Sequence, residues 1–159
     1  MADELGDEFL DDLRKQVKED SSGEGFIIGE VWENAADKVA YGYRRRYFQG
    51  DQLDSVMNYP FKNAVIGYLM TGNAEQLRST LVSIYASYPK SVCDSLMNIL
   101  GTHDTERILT VLGGENKFDL PNRELALTRL APANRERAIK LLMLASTIQY
   151  TVYGFPSVF

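Results

Sequence analysis

Two periods of apolar residues run through the chain. In residues 7–20 Phe9, Leu13 and Val17 recur four apart, with Leu10 alongside and charges elsewhere, which predicts an amphipathic surface helix. After the breaker at 21–25, Phe26, Ile27 and Ile28 follow one another without alternation, the pattern of a short strand buried on both faces, and the run closes at Gly29 and Glu30. An aromatic and basic stretch leads to Leu53, Val56 and Met57, a second buried run ending at Asn58. Pro60 suits the first turn of a helix, and Val65, Ile66, Leu69 and Met70 continue it to Gly72. Asn73 is placed to cap a further helix striped by Leu77, Leu81, Ile84 and Tyr85. Leu96 to Leu100 form a third buried run. Residues 132–154 then read as a long helix with Ile139, Leu142, Met143 and Leu144 among its apolar positions, and 156–159 open a fourth strand.

Buried runs alternating with helices predict right-handed βαβ units and a parallel sheet, hence an α/β fold without a second domain. Parallel folds keep their chemistry at the carboxyl ends of the strands, where loops can hold polar groups that the strand bodies cannot. Glu30 stands there after the first run, Asn58 after the second, and His103 with Asp104 after the third. Two carboxylates and an imidazole at one mouth suit glycoside hydrolysis, in which one carboxylic acid protonates the leaving oxygen and a partner carboxylate attacks or stabilises the sugar cation. Helix caps and loop ion pairs would use the same residue types. Arg44, Arg45 and Arg46 read as a solvated face.

Composition narrows the partners. The chain has 159 residues, 45% apolar and 25% charged, enough to bury a sizeable core without staples. Its single cysteine, Cys93, excludes an intramolecular disulfide and reads as a small buried apolar residue. A net charge of −5 repels phosphate backbones, so no nucleic-acid partner is expected. No run approaches about 18 uninterrupted apolar residues, so no membrane partner is expected, and the acidic start MADELGDEF differs from the basic opening of a signal peptide.

The strings GEVWENAADK (29–38), GDQLDSVMNYPF (50–61) and LMNILGTHDTERILT (96–110), in this order and spacing, resemble the α-amylase family, glycoside hydrolase family 13. Within it they are most similar to the group of neopullulanase, maltogenic amylase and cyclomaltodextrinase, and the resemblance runs from Ala2 to Phe159. It implies a (β/α)8 TIM barrel, of which residues 1–159 would be the C-terminal half, a partial catalytic domain cut at both ends, because a whole barrel takes roughly 250 residues. It assigns Glu30 as general acid/base and Asp104 as the group that grips the sugar ring and steadies its developing charge. His103 would bind hydroxyls of the same ring, Trp32 would stack on a sugar face, and Asn58 and Tyr59 would line the cleft. The apolar run before Glu30, with Val31 and Trp32 beside it, predicts a partly desolvated carboxyl that favours the protonated form. Thr102 stands where the family often has Asn or Ser.

The family's nucleophile is an aspartate in a string like RLDVADE, and the match here begins with Met1 in the place of its valine, so that aspartate would lie just before residue 1. A YGDE-like segment would follow Phe159. A retaining hydrolase needs both carboxylates about 5 to 5.5 Å apart, so the chain by itself is expected to be inactive. The expected substrates are α-glucans or maltooligosaccharides (starch, pullulan, cyclodextrins), with no cofactor and no metal in this piece. Open strand edges predict a homodimer. The resemblance favours the cytoplasm over secretion while leaving location open. The alternative reading is a stand-alone carbohydrate-binding or scaffold α/β module without catalysis.

Overall fold

A computed structural model describes residues 1–50, 52–114 and 120–159, which leaves Asp51 of the second string outside. A short turn at Ala2–Glu4 precedes helix α1 (Asp7–Asp20). Strand β1 (Ile28–Gly29) comes next, then a hairpin of β2 (Val39–Ala40) and β3 (Tyr43–Arg44), and then strand β4 (Ser55–Val56). Helices α2 (Tyr59–Thr71), α3 (Ala74–Ser87) and α4 (Lys90–Asp94) lead to β5 (Met97–Ile99). Helices α5 (Ile108–Leu112), α6 (Asn122–Leu125) and α7 (Pro132–Thr151) lead to β6 (Phe155–Ser157).

The four apolar runs lie side by side in chain order and in parallel. Ile28 pairs with Ser55 and Gly29 with Val56, a parallel bridge joins Met57 to Met97, and Met97, Asn98 and Ile99 pair with Phe155, Pro156 and Ser157. Pro60 sits in the first turn of α2, and Asn73 caps α3 by accepting the Gln76 N–H. One core gathers Leu10, Val31, Tyr47, Val56, Ile84 and Leu96. The other gathers Phe61, Val65, Leu100 and Ala145, with Leu142 and Ile148 packed on it.

Three sequence expectations change on packing. In α1 the inward face centres on Leu10, with Arg14 and Lys18 one and two turns on reaching Asp54 at 2.9 and 3.3 Å; Phe9 is thereby turned outward and is 54% exposed. In α7 the buried positions are Ala138, Ala145 and Gln149, while Met143 and Leu144 face solvent, because small side chains let this helix approach its neighbours closely. The basic run is not a solvated face throughout. Arg45 is buried over the Tyr47 ring at 5.2 Å, donates to the Leu5 carbonyl and pairs with Asp7 at 3.3 Å; Arg46 pairs with Asp11, and Arg44 pairs with Asp37 at the surface. The hairpin has no counterpart in the apolar pattern. Its two-residue turn places Tyr41 and Gly42 at φ 54° and 84°, and the tyrosine stands where Asn or Asp would give the usual signal.

Candidate active site

Glu30 is held in place from both sides along the chain. The Asp54 carboxylate accepts the Ile27 N–H at 2.8 Å, so Asp54 ties the start of β1 to α1 through Arg14 and Lys18. Gly29 then passes so close to Leu53 that a Cβ there would clash with its methyl group, and β1 closes against β4. The Glu30 carbonyl accepts the Ala2 N–H at 2.9 Å, and the side chain emerges 27% exposed.

Two donors meet its carboxylate. The Trp32 indole N–H donates to Oε1 at 2.8 Å and the Tyr59 hydroxyl donates to the same oxygen at 3.3 Å, while the Met1 ammonium lies 3.6 Å from Oε2. The Trp32 and Tyr59 rings stack, centroids 4.7 Å apart and planes 13° from parallel. The Trp32 hydrogen bond holds the Glu30 carboxyl below its ordinary range; burial works the other way, and the Met1 ammonium and Tyr59 add to the lowering. This corrects the expectation that burial favours the protonated form. Burial is present, but donors that stabilise the anion outweigh it.

Tyr59 itself is 1% exposed, so it lies beneath Trp32 and does not line an open cleft. Burial raises its phenol; the Thr102 hydroxyl opposes that, and the charges of Glu30 and Asp104 add to the rise. Asn58 is also turned inward. Its Oδ1 accepts the Phe61 N–H at 3.2 Å and caps α2, and its Nδ2 donates to Asn98 Oδ1 at 2.8 Å. Its polar atoms are therefore used inside the fold, as a cap that delivers Tyr59 to Glu30.

Asn98 is a residue that sequence reasoning missed. Fully buried in β5, it also donates to the Tyr153 carbonyl at 2.8 Å, and its own carbonyl accepts from Gln149 at 2.8 Å, which reaches the Ser157 carbonyl at 2.9 Å. A lone amide inside the run Leu96 to Leu100 was the available signal, since a buried amide is kept only where partners satisfy it.

His103 and Asp104 lie on a turn after β5. The Thr102 N–H donates to Thr105 Oγ1 at 2.9 Å, and the Asp104 N–H donates to Thr102 Oγ1 at 3.3 Å. His103 Nε2 stands 3.2 Å from Asp104 Oδ2, with the two side chains 75% and 48% exposed. Both border a cleft of about 730 Å³ shared with Arg107, Thr110 and Arg129. Glu30, Trp32 and Tyr59 are thus in direct contact with one another, and His103 and Asp104 form a second group. The link between them is the Tyr59 hydroxyl, which feels both carboxylates. Among the described residues no group of three or more His, Cys, Asp or Glu side chains could hold a metal ion. No helix of the described residues is long and apolar enough to cross a membrane.

Residues 5–136 match the family described as alpha amylase, catalytic domain. The chain belongs to the α-amylase family. A cyclomaltodextrinase from Bacillus sp is 29% identical over 161 residues, spanning 100% of this chain and 23% of that protein. Neopullulanase 2 from Thermoactinomyces vulgaris is 37% identical over 123 residues, 76% of this chain and 19% of that one. A solved cyclomaltodextrinase structure superposes with a TM-score of 0.73 at 28% identity, covering 100% of this chain and 22% of that chain. The chain therefore spans about a fifth of the length of these curated relatives. Its α-amylase-family homologues are glycoside hydrolases, its structural neighbours are TIM barrels, and the chain corresponds to a partial piece of one.

Proposed function

We propose that residues 1–159 are the C-terminal half of a (β/α)8 catalytic barrel from a retaining α-glucan hydrolase, with Glu30 as the general acid/base. The observation that carries this reading is the carboxylate of Glu30, partly exposed at the end of a parallel strand and oriented by Trp32 and Tyr59. His103 and Asp104, exposed after β5, would bind the sugar ring at the cleavage point, and Asp104 would steady the positive charge that develops there. That interaction is strongest in the transition state and so raises rate. Trp32 has one face on Tyr59 and keeps exposed surface for a pyranose. Tyr59 and Asn58 act from beneath, as supports.

Double displacement needs a second carboxylate about 5 to 5.5 Å from the acid. The resemblance puts that aspartate one position ahead of Met1, and the Met1 nitrogen lies 3.6 Å from Glu30 Oε2, which supports placing the aspartate beside Glu30. The chain alone would then bind α-glucans such as maltooligosaccharides or cyclodextrins without cleaving them. The open edges of β1 and β6 would pair with a second copy, giving a dimer by light scattering at micromolar concentration. A second reading, carbohydrate binding without chemistry in the natural protein, is favoured by the lowered carboxyl of Glu30, since an anion accepts hydrogen bonds from sugar hydroxyls.

The test is titration of the purified chain with maltohexaose. Trp32 emission is expected to change on saturation, with no release of reducing sugar from starch, pullulan or cyclodextrin. Sugar release that disappears in Glu30→Gln would overturn the inactivity of the chain. An unresponsive Trp32 at high oligosaccharide would remove the site.

A further inference from the structure

Both hydrogen bonds into Glu30 land on one oxygen. Oε1 receives the Trp32 indole at 2.8 Å and the Tyr59 hydroxyl at 3.3 Å, whereas Oε2 faces the Met1 ammonium at 3.6 Å. A proton placed on Oε1 would point at an N–H and an O–H hydrogen already directed there; a proton on Oε2 would leave both bonds intact and give up only the longer contact with the Met1 ammonium. The arrangement is stiff. Tyr59 is buried in the first turn of α2, the Asn58 side chain caps that turn and is bonded to Asn98, and the Trp32 ring lies flat on the phenol. We infer that Tyr59 is a positioning residue which, together with Trp32, clamps Glu30 by Oε1 and so makes Oε2 the oxygen that takes up and releases the proton.

The inference deepens the reading of Glu30 as acid/base and rests on it. It also separates two roles of Tyr59: a ring that supports Trp32, and a hydroxyl that orients a charge. The Met1 ammonium faces Oε2, Asp104 acts on Tyr59 from the turn after β5, and Lys38 is held by Asp3 at 3.2 Å and Glu33 at 2.6 Å.

Trp32 is the only tryptophan in the chain and its N–H donates to the carboxylate, so its indole N–H resonance reports on Glu30 directly. We would track that resonance in the full chain from pH 7 downward, with far-UV circular dichroism marking the range in which the fold persists. The wild-type resonance is expected to titrate below the ordinary carboxylate range, and Glu30→Gln to abolish the step. Tyr59→Phe keeps the ring stack and removes one donor to the anion, so it should raise the midpoint by roughly half a unit to one unit and displace the indole resonance at pH 7. Packing by the ring alone would move neither. A Tyr59→Phe chain with wild-type midpoint and resonance overturns the clamp, as does a wild-type step at or above the ordinary carboxylate range or a step that survives Glu30→Gln. The measurement uses no substrate, so its failure leaves the glucan-binding test of the proposed function standing.

Discussion

The corner around Glu30 and the turn carrying His103 and Asp104 occupy equivalent places, each just past a short parallel strand, and they are built in opposite ways. Glu30 receives two side-chain hydrogen bonds from a stacked pair whose lower ring is buried. His103 and Asp104 are mostly exposed, interact with each other, and rest on a turn closed by threonine hydroxyls. The difference comes from where the nearest helix begins. Helix α2 starts directly after Asn58 and carries Tyr59 in its first residue, beneath Trp32, whereas α5 starts only at Ile108 and leaves Asp104 to solvent. A carboxylate that is oriented before a ligand arrives loses little freedom on binding, while a solvated one must be ordered by the ligand or by further chain packed around it.

The contrast can be broken most severely through Asn98. Its amide bonds both the buried Asn58 side chain and the Tyr153 carbonyl just ahead of β6, so Asn98→Ala takes a partner from each and opens a small void. Loss of about 2 to 4 kcal/mol is expected by urea denaturation, together with faster hydrogen exchange at the Phe61 amide, where the α2 cap acts. Stability unchanged in Asn98→Ala would show that the Glu30 corner does not depend on the amide network.

Asp54 sharpens the comparison from the other side. Burial raises its carboxyl, but the Ile27 N–H, Arg14 and Lys18 prevail and hold it below the ordinary range. A carboxylate lowered in the folded state stabilises above its unfolded pKa, and that contribution fades as pH falls through the folded value. Asp54→Asn is therefore expected to cost about 1 to 3 kcal/mol at pH 7 and progressively less in acid, where the two urea midpoints converge. An equal gap at pH 7 and in acid would assign the cost to packing instead.

The smallest effect belongs to the exposed turn. Asp104→Asn should change stability by no more than about 0.5 kcal/mol, since the side chain is 48% exposed and the turn is closed by backbone and threonine groups. A loss above about 1 kcal/mol would mean that this turn is as tightly integrated as the Glu30 corner.

Much of the fold was legible because it is local. Apolar runs at 26–28, 53–57 and 96–100 announce strands by composition, Pro60 and Asn73 mark helix starts by backbone chemistry, and the motif order placed the chain in its family. The position of Glu30, His103 and Asp104 after strands was also readable from the pattern, since an ionisable group is excluded from a run buried on both faces. The orientation of a charge was not legible. Glu30 and Tyr59 are 29 residues apart, and only the parallel pairing of β1 with β4 brings the hydroxyl to the carboxylate, where it adds to the lowering that the Trp32 hydrogen bond leads. For the same reason Arg45 is buried and Phe9 exposed, against the bias of their types: an ion pair to Asp7 and a bond to the Leu5 carbonyl compensate the first, and the rotation of α1 set by Asp54 imposes the second. The sequence by itself determined the kind and order of elements and the residues at their ends, because these depend on neighbours along the chain. Tertiary structure alone decided which side chains meet, and with that whether each carboxylate is clamped or free, because hydrogen bonding and burial act between segments that only the packed sheet brings together.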